Sequence, residues 1–111
     1  MKRDKVLQML GMATRAGTVA SGGFMTETSV KGGKACLVVV ATDASDNTKK
    51  DFKDMCDHYN VPIRFYSNME DLGHCIGKEF RASLAVTNEG LADKILGLID
   101  SDKLSGKDEV L

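Results

Sequence analysis

The sequence predicts an α/β fold in which a four-stranded sheet is sandwiched between helical layers, in the order α-β-α-β-α-β-α-β-α. Three observations predict it. Segments with apolar residues every three or four positions alternate with short β-branched runs, and each strand face needs a helix to cover it. The run Ala35-Cys36-Leu37-Val38-Val39-Val40-Ala41 is apolar without a break, as expected of a central strand buried on both faces. At 111 residues the chain is long enough for one hydrophobic core and too short for two ordinary domains.

Over residues 3–16, Val6, Leu7, Met9, Leu10, Ala13 and Ala16 fall mostly at helical spacing, and Gly17 ends the helix. Thr18-Val19-Ala20-Ser21 reads as a short strand, and Gly22-Gly23 as a tight turn into a helix carrying Phe24, Met25 and Val30. After the valine-rich strand, Asp43, Ser45, Asp46 or Asn47 can cap a third helix through Phe52, Met55, Cys56 and Tyr59, which Asn60 closes. The strand at 61–66 has the only proline near its start, which suits an early or edge position. Ser67-Asn68-Met69-Glu70 has capping-box spacing before a short helix through Leu72, Cys75 and Ile76. Residues 77–81 form a loop, 82–87 the fourth strand, and Asn88 caps a final helix with Leu91, Ile95, Leu98 and Ile99 on one side. The domain is expected to span residues 1–100, with 101–111 a polar, frayed tail.

Apolar residues at 42% and charged residues at 28% exclude bulk disorder. No run approaches the roughly 20 apolar residues of a membrane span, and Met-Lys-Arg-Asp-Lys leads into an amphipathic pattern, so a cytoplasmic protein is expected. Cys36, Cys56 and Cys75 are too widely spaced for a zinc site and too few for a disulfide framework. Cys36 and Cys75 read as small core residues, with Cys56 a further candidate. No metal or cofactor is implied. The net charge of −1 supplies no global field for nucleic acid, although four acids and only two lysines fall at or after Asp100. Any basic surface must be local.

No nucleophile-base pair, paired carboxylates or metal cluster suggests an enzyme. His58 reads as an exposed helix-end residue and His74 as packed or half-exposed. Cys75 and His74 point about 100° apart on a helix and cannot act together merely by adjacency. Gly22-Gly23 at a helix start can receive an anion, although a plain turn explains it equally simply. Lys31, Lys34, Lys78 and Arg81 lie on turns flanking strand ends, with Phe24 and Phe80 nearby. Cations beside aromatic rings suit phosphate neutralisation and base stacking in distorted or single-stranded RNA. Singly, each is more often a solvated charge or a core ring.

Several separated motifs, in order and spacing, resemble one family. Residues 10–17 (Leu10-Gly11-Met12-Ala13-Thr14-Arg15-Ala16-Gly17), Gly22, residues 41–48 (Ala41-Thr42-Asp43-Ala44-Ser45-Asp46-Asn47-Thr48), Tyr59-Asn60-Val61-Pro62 and residues 72–78 are similar to the L7Ae family of ribosomal proteins. The similarity is closest to its bacterial YlxQ-type members and covers residues 6–99. It implies a three-layer α-β-α sandwich with a mixed sheet, no catalysis, and an RNA surface made by the turn into the second helix and the loop before the last strand.

Kink-turn binders of this family carry a G-x-N-E-x-x-K pattern that reads sheared G·A pairs, and a partly apolar triplet that packs on an extruded base. Here the pattern runs from Gly22 to Thr28, with Phe24 and Met25 in place of Asn-Glu and Thr28 in place of lysine. By analogy with DNA, each bidentate base contact so removed is worth ~1–3 kcal/mol. The later loop keeps Glu79 and Phe80 between Lys78 and Arg81. The resemblance thus implies RNA binding in the translation apparatus with weakened or altered kink-turn recognition. The candidate contacts are Gly22, Gly23, Phe24, Met25, Thr28, Lys31, Lys34, Lys78, Glu79, Phe80 and Arg81. The alternative is a protein-interaction module that has lost RNA binding and docks a partner through Phe24 and Met25.

Overall fold

Helix α1 (Lys5–Arg15) follows from its amphipathic stripe: Val6, Leu10 and Ala13 are buried, while the Asp4 carboxylate accepts the Leu7 N–H at 3.0 Å. Gly17, at φ +75°, turns the chain out of the helix into β1 (Val19–Ser21). Helix α2 (Gly23–Lys31) and a loop lead to β2 (Leu37–Val40), whose four residues are all fully buried. Ser45 caps α3 (Asp46–Tyr59) by accepting the Thr48 N–H at 3.1 Å, and Asn60 ends it in the left-handed region. The remaining elements are β3 (Ile63–Phe65), α4 (Met69–Cys75), β4 (Ser83–Val86) and α5 (Glu89–Val110). Asn88 caps α5, its side-chain oxygen accepting the Leu91 N–H at 2.9 Å.

The strands form one mixed sheet in the order β1-β4-β2-β3. β4 runs antiparallel to both neighbours, with Ser21 opposite Leu84 and Leu37 opposite Val86, whereas β2 and β3 are parallel. α1 packs with α4 and α5 in one layer, and α2 with α3 in the other. Between them, Leu10, Val38, Val39, Leu72, Leu84, Ile95 and Ile99 are wholly shielded from solvent. β3 is an edge strand, where Pro62 costs the sheet no donor, and its carbonyl still accepts the Val38 N–H at 2.9 Å. The predicted three-layer α/β sandwich and element order are therefore present.

The structure, a computed structural model, describes residues 4–110, with side chains through Ser101. Arg3, placed by the sequence in the first helix, lies outside the described residues. α5 continues past Ser101, where the sequence suggested a tail.

The predicted capping box is not formed. Asn68, one residue later than expected, caps α4 by accepting the Asp71 N–H at 2.7 Å, while Ser67 sits at φ +65°. The Ser67 carbonyl instead accepts both the N–H and the hydroxyl of Thr42, which pulls that residue out of the cap position. The Asp43 carboxylate adds a bond from the Met69 N–H at 2.9 Å. Among the cysteines, Cys56 is the fully buried one, whereas Cys36 and Cys75 only border the core.

Candidate nucleic-acid interface

Because β1 and β4 are antiparallel neighbours, the exit from β1 lies beside the entry to β4. The turn and the later loop are joined there. The Gly22 N–H donates to the Ser83 carbonyl at 3.0 Å, and Arg81 Nε donates to the Ser21 hydroxyl at 3.3 Å. Arg81 Nη1 also donates to the Phe80 carbonyl at 2.7 Å, so two of the three guanidinium nitrogens are tied to protein. Nη2 has no hydrogen-bond partner among the described residues and can donate to an oxyanion. Below, the buried Ser83 hydroxyl meets the Thr26 hydroxyl at 3.4 Å.

Gly22 holds φ +91° and ψ +160°, a conformation that an L side chain rarely adopts. No side chain caps α2, its first turn carries no acid, and Thr26 is the first residue whose N–H closes onto the helix, at the Gly22 carbonyl. The N–H groups of Gly23, Phe24 and Met25 therefore remain open at the positive end of the helix dipole.

The later loop rests on α4. The Lys78 N–H donates to the Gly73 carbonyl at 2.8 Å, and the Arg81 N–H to the Met69 carbonyl at 3.0 Å. A Cβ on Gly73 would overlap the backbone of Glu79 and Phe80, so this glycine is the saddle on which the loop sits. Held from both sides, the corner presents three apolar side chains to solvent: Phe24 is 79% exposed, Phe80 60% and Met25 51%. Lys78 and Glu79 are exposed beside them. The rings are not core residues.

Of the sequence candidates, Gly22, Gly23, Phe24, Met25, Lys78, Glu79, Phe80 and Arg81 thus lie along one seam. Lys31 and Lys34 do not join them. Lys31 lies eight residues beyond Gly23, about 12 Å along the helix. Lys34 leads into Cys36, whose N–H bonds the Val86 carbonyl at the far end of β4 from Ser83. Lys31 is also paired with Glu27 at 2.7 Å, and that hydrogen bond and charge raise its pKa. The Thr28 hydroxyl donates to the Phe24 carbonyl at 2.9 Å, turned back onto its own helix.

Sequence reasoning missed Ser21, which is half-buried, and Gly73 and Ser83, which are buried; all three position the seam. A glycine inside the short helical pattern 69–76 was the available signal for Gly73. Elsewhere, burial pushes the thiols of Cys56 and Cys75 up to about 11, which keeps them protonated and unreactive near neutrality. His58 and His74 are both exposed, so His74 is less packed than expected. No group of metal-ligating side chains occurs among the described residues, and no described helix is long and apolar enough to cross a membrane.

Comparison with known proteins gives this geometry a family. A profile of the ribosomal protein L7Ae/L30e/S12e/Gadd45 family matches residues 4–96. The RNA-binding protein YlxQ of Bacillus subtilis (strain 168) is 40% identical over 92 residues, covering 83% of this chain and 92% of its own. A protein of the same name from Enterococcus faecium is 36% identical over 98 residues, covering 88% and 94%. A solved structure of a protein with unknown function from Bacillus halodurans superposes with a TM-score of 0.86 at 35% identity, over 88% of this chain and 99% of that one. The chain therefore belongs to the ribosomal protein L7Ae/L30e/S12e/Gadd45 family, among its non-enzymatic YlxQ-type members.

Proposed function

We propose that this protein is a cytoplasmic RNA-binding protein of the translation apparatus, with weakened or altered kink-turn recognition. The observation that carries the reading is the corner where Arg81, bound to Ser21 and the Phe80 carbonyl, stands among three exposed apolar side chains, Phe24, Met25 and Phe80. Bacterial relatives named as RNA-binding proteins support it.

In this reading the open N–H groups of Gly23, Phe24 and Met25, with Lys78 and Arg81, hold phosphates. Phe24 and Phe80 stack on bases, Met25 packs beside them, and Glu79 accepts from a base or ribose donor. Gly22 shapes the turn. Lys31 and Lys34 engage only an RNA long enough to continue along α2, and Thr28 reads nothing. The RNA-binding domain comprises residues 1–100.

The test is a titration against a kink-turn RNA and a straight duplex at two salt concentrations. Phosphate contacts appear in the salt slope, and recognition of shape in the difference between the RNAs. Salt-dependent binding that favours the bent RNA by only a small factor is expected; flat titrations against both at low salt overturn it. A second reading, a protein-docking module, is favoured by the exposure of Phe24 and Met25 alone. It takes over if no RNA binds.

A further inference from the structure

We infer that Thr26 and Ser83 are positioning residues for the RNA surface: their buried hydroxyls close a hydrogen-bonded ring that sets the direction in which Gly23, Phe24 and Met25 face. The inference rests on the RNA-binding reading and concerns what lies beneath that surface, not what touches RNA. Thr26 is fully buried and Ser83 is 1% exposed, so neither hydroxyl can reach a ligand. Valine and alanine, of nearly the same size, would occupy the two places with no polar atom to satisfy. A role other than filling space is therefore open to the pair.

The ring has three members, each donating to the next. The Ser83 hydroxyl donates to the Thr26 hydroxyl oxygen at 3.4 Å, the Thr26 N–H to the Gly22 carbonyl at 2.9 Å, and the Gly22 N–H to the Ser83 carbonyl at 3.0 Å. Ser83 thus grips the start of α2 at two points one helical turn apart. A single bond to Gly22 leaves the first turn free to pivot about it, and the second bond, at Thr26, removes that freedom. Nothing else nearby supplies the restraint: Gly22 has no side chain to limit its backbone, and no side chain caps α2. Ser83 is also the first residue of β4 after the later loop, so the same ring ties the turn to that loop. The hydroxyl link adds little to stability, because 3.4 Å is long for an O–H···O bond and an apolar pair of the same shape is nearly neutral in its place. What it adds is direction, which apolar burial does not have. A turn already facing the right way has less to lose in freedom when RNA binds.

The experiment measures urea unfolding and affinity for a kink-turn RNA on full-chain variants, at a temperature where circular dichroism shows all of them folded. Thr26→Val removes one hydroxyl at constant shape and leaves the Ser83 hydroxyl without that partner, so stability and affinity should both fall. Adding Ser83→Ala removes the abandoned hydroxyl and should return most of the stability, while affinity stays about fivefold below wild type, the worth of one hydrogen bond. Thr26→Ser reverses the pattern. It gives up a buried methyl group and some stability, yet its hydroxyl keeps the ring closed, and affinity should remain within about twofold of wild type. In the RNA-free protein, the amide resonances of Gly23, Phe24 and Met25 should move in the double variant and stay near their wild-type positions in Thr26→Ser. A double variant that binds as tightly as wild type, or a Thr26→Ser variant that binds as weakly as Thr26→Val, overturns the inference and leaves RNA binding standing. If the wild-type chain binds neither the kink-turn RNA nor a straight duplex, the RNA reading itself falls and the inference falls with it.

Discussion

Replacing Gly73 with alanine should unseat the later loop, and the coordinates set the scale. The added Cβ would fall under 3.0 Å from the Glu79 carbonyl oxygen and carbon and from the Phe80 Cα, all backbone atoms that no rotamer change can move away. Alanine gains up to ~1 kcal/mol over glycine in a helix interior, whereas overpacking costs ~1–3 kcal/mol, toward its upper end when backbone must shift. The net loss should be about 1–2 kcal/mol, which in a domain of this size lowers Tm by roughly 4–15 °C. Gly97→Ala is the internal control: a Cβ there meets nothing within 4 Å, so it should be neutral or stabilising by up to ~1 kcal/mol. Urea unfolding followed by circular dichroism measures both, and RNA titration reports whether Phe80 and Arg81 have moved. If Gly73→Ala is as stable as Gly97→Ala and binds RNA normally, the loop does not rest on α4 and the account of the seam is wrong.

Asn68→Ala should cost about 1 kcal/mol through the lost cap, while Ser67→Ala should cost clearly less, because the Ser67 hydroxyl makes no hydrogen bond among the described residues; equal losses would restore the capping box. Arg81→Ala should reduce the slope of log affinity against log salt by about 0.7 if it holds one phosphate of single-stranded character, with no change in slope counting against that role. The contribution of Cys56 and Cys75 to stability should be constant well below the free thiol value of 9.0 and be lost as pH rises toward about 11, since burial raises both thiols in the folded state and the unfolded chain releases those protons first. Cys56→Ala should remove part of that slope in urea melts run across this range, and a wild-type chain whose stability does not change there would contradict the burial argument.

Elements whose identity rests on local chemistry were legible in the sequence. The valine run gave β2, all four of whose residues are buried, and Asn60 and Asn88 ended and began helices where their side chains allow it. Legibility failed where a distant residue decides the outcome. Thr42 takes the Ser67 carbonyl across 25 positions, and no local pattern announces that the cap must pass to Asn68. The cations divide for the same reason: Lys31 and Lys34 flank a strand just as Arg81 does, but only the strand order tells which end of β4 each approaches. Exposure of Phe24 was expected from the family resemblance and not from local pattern, because a phenylalanine after Gly-Gly reads as core until the turn is placed at a corner of the sheet.

The position of β4 has a consequence for the time at which this surface comes into being. The fourth strand in the chain is second in the sheet, lying between β1 and β2, and until it arrives β1 has no neighbour to pair with. The Gly22–Ser83 hydrogen bond closes a loop of about 60 residues, among the longer-range events in folding such a chain. During synthesis at about 5–20 residues per second, the two halves of the seam are therefore made several seconds apart. A nascent chain exposes Phe24 well before Phe80 exists, and its complete RNA surface can be assembled only after nearly the whole domain has been made.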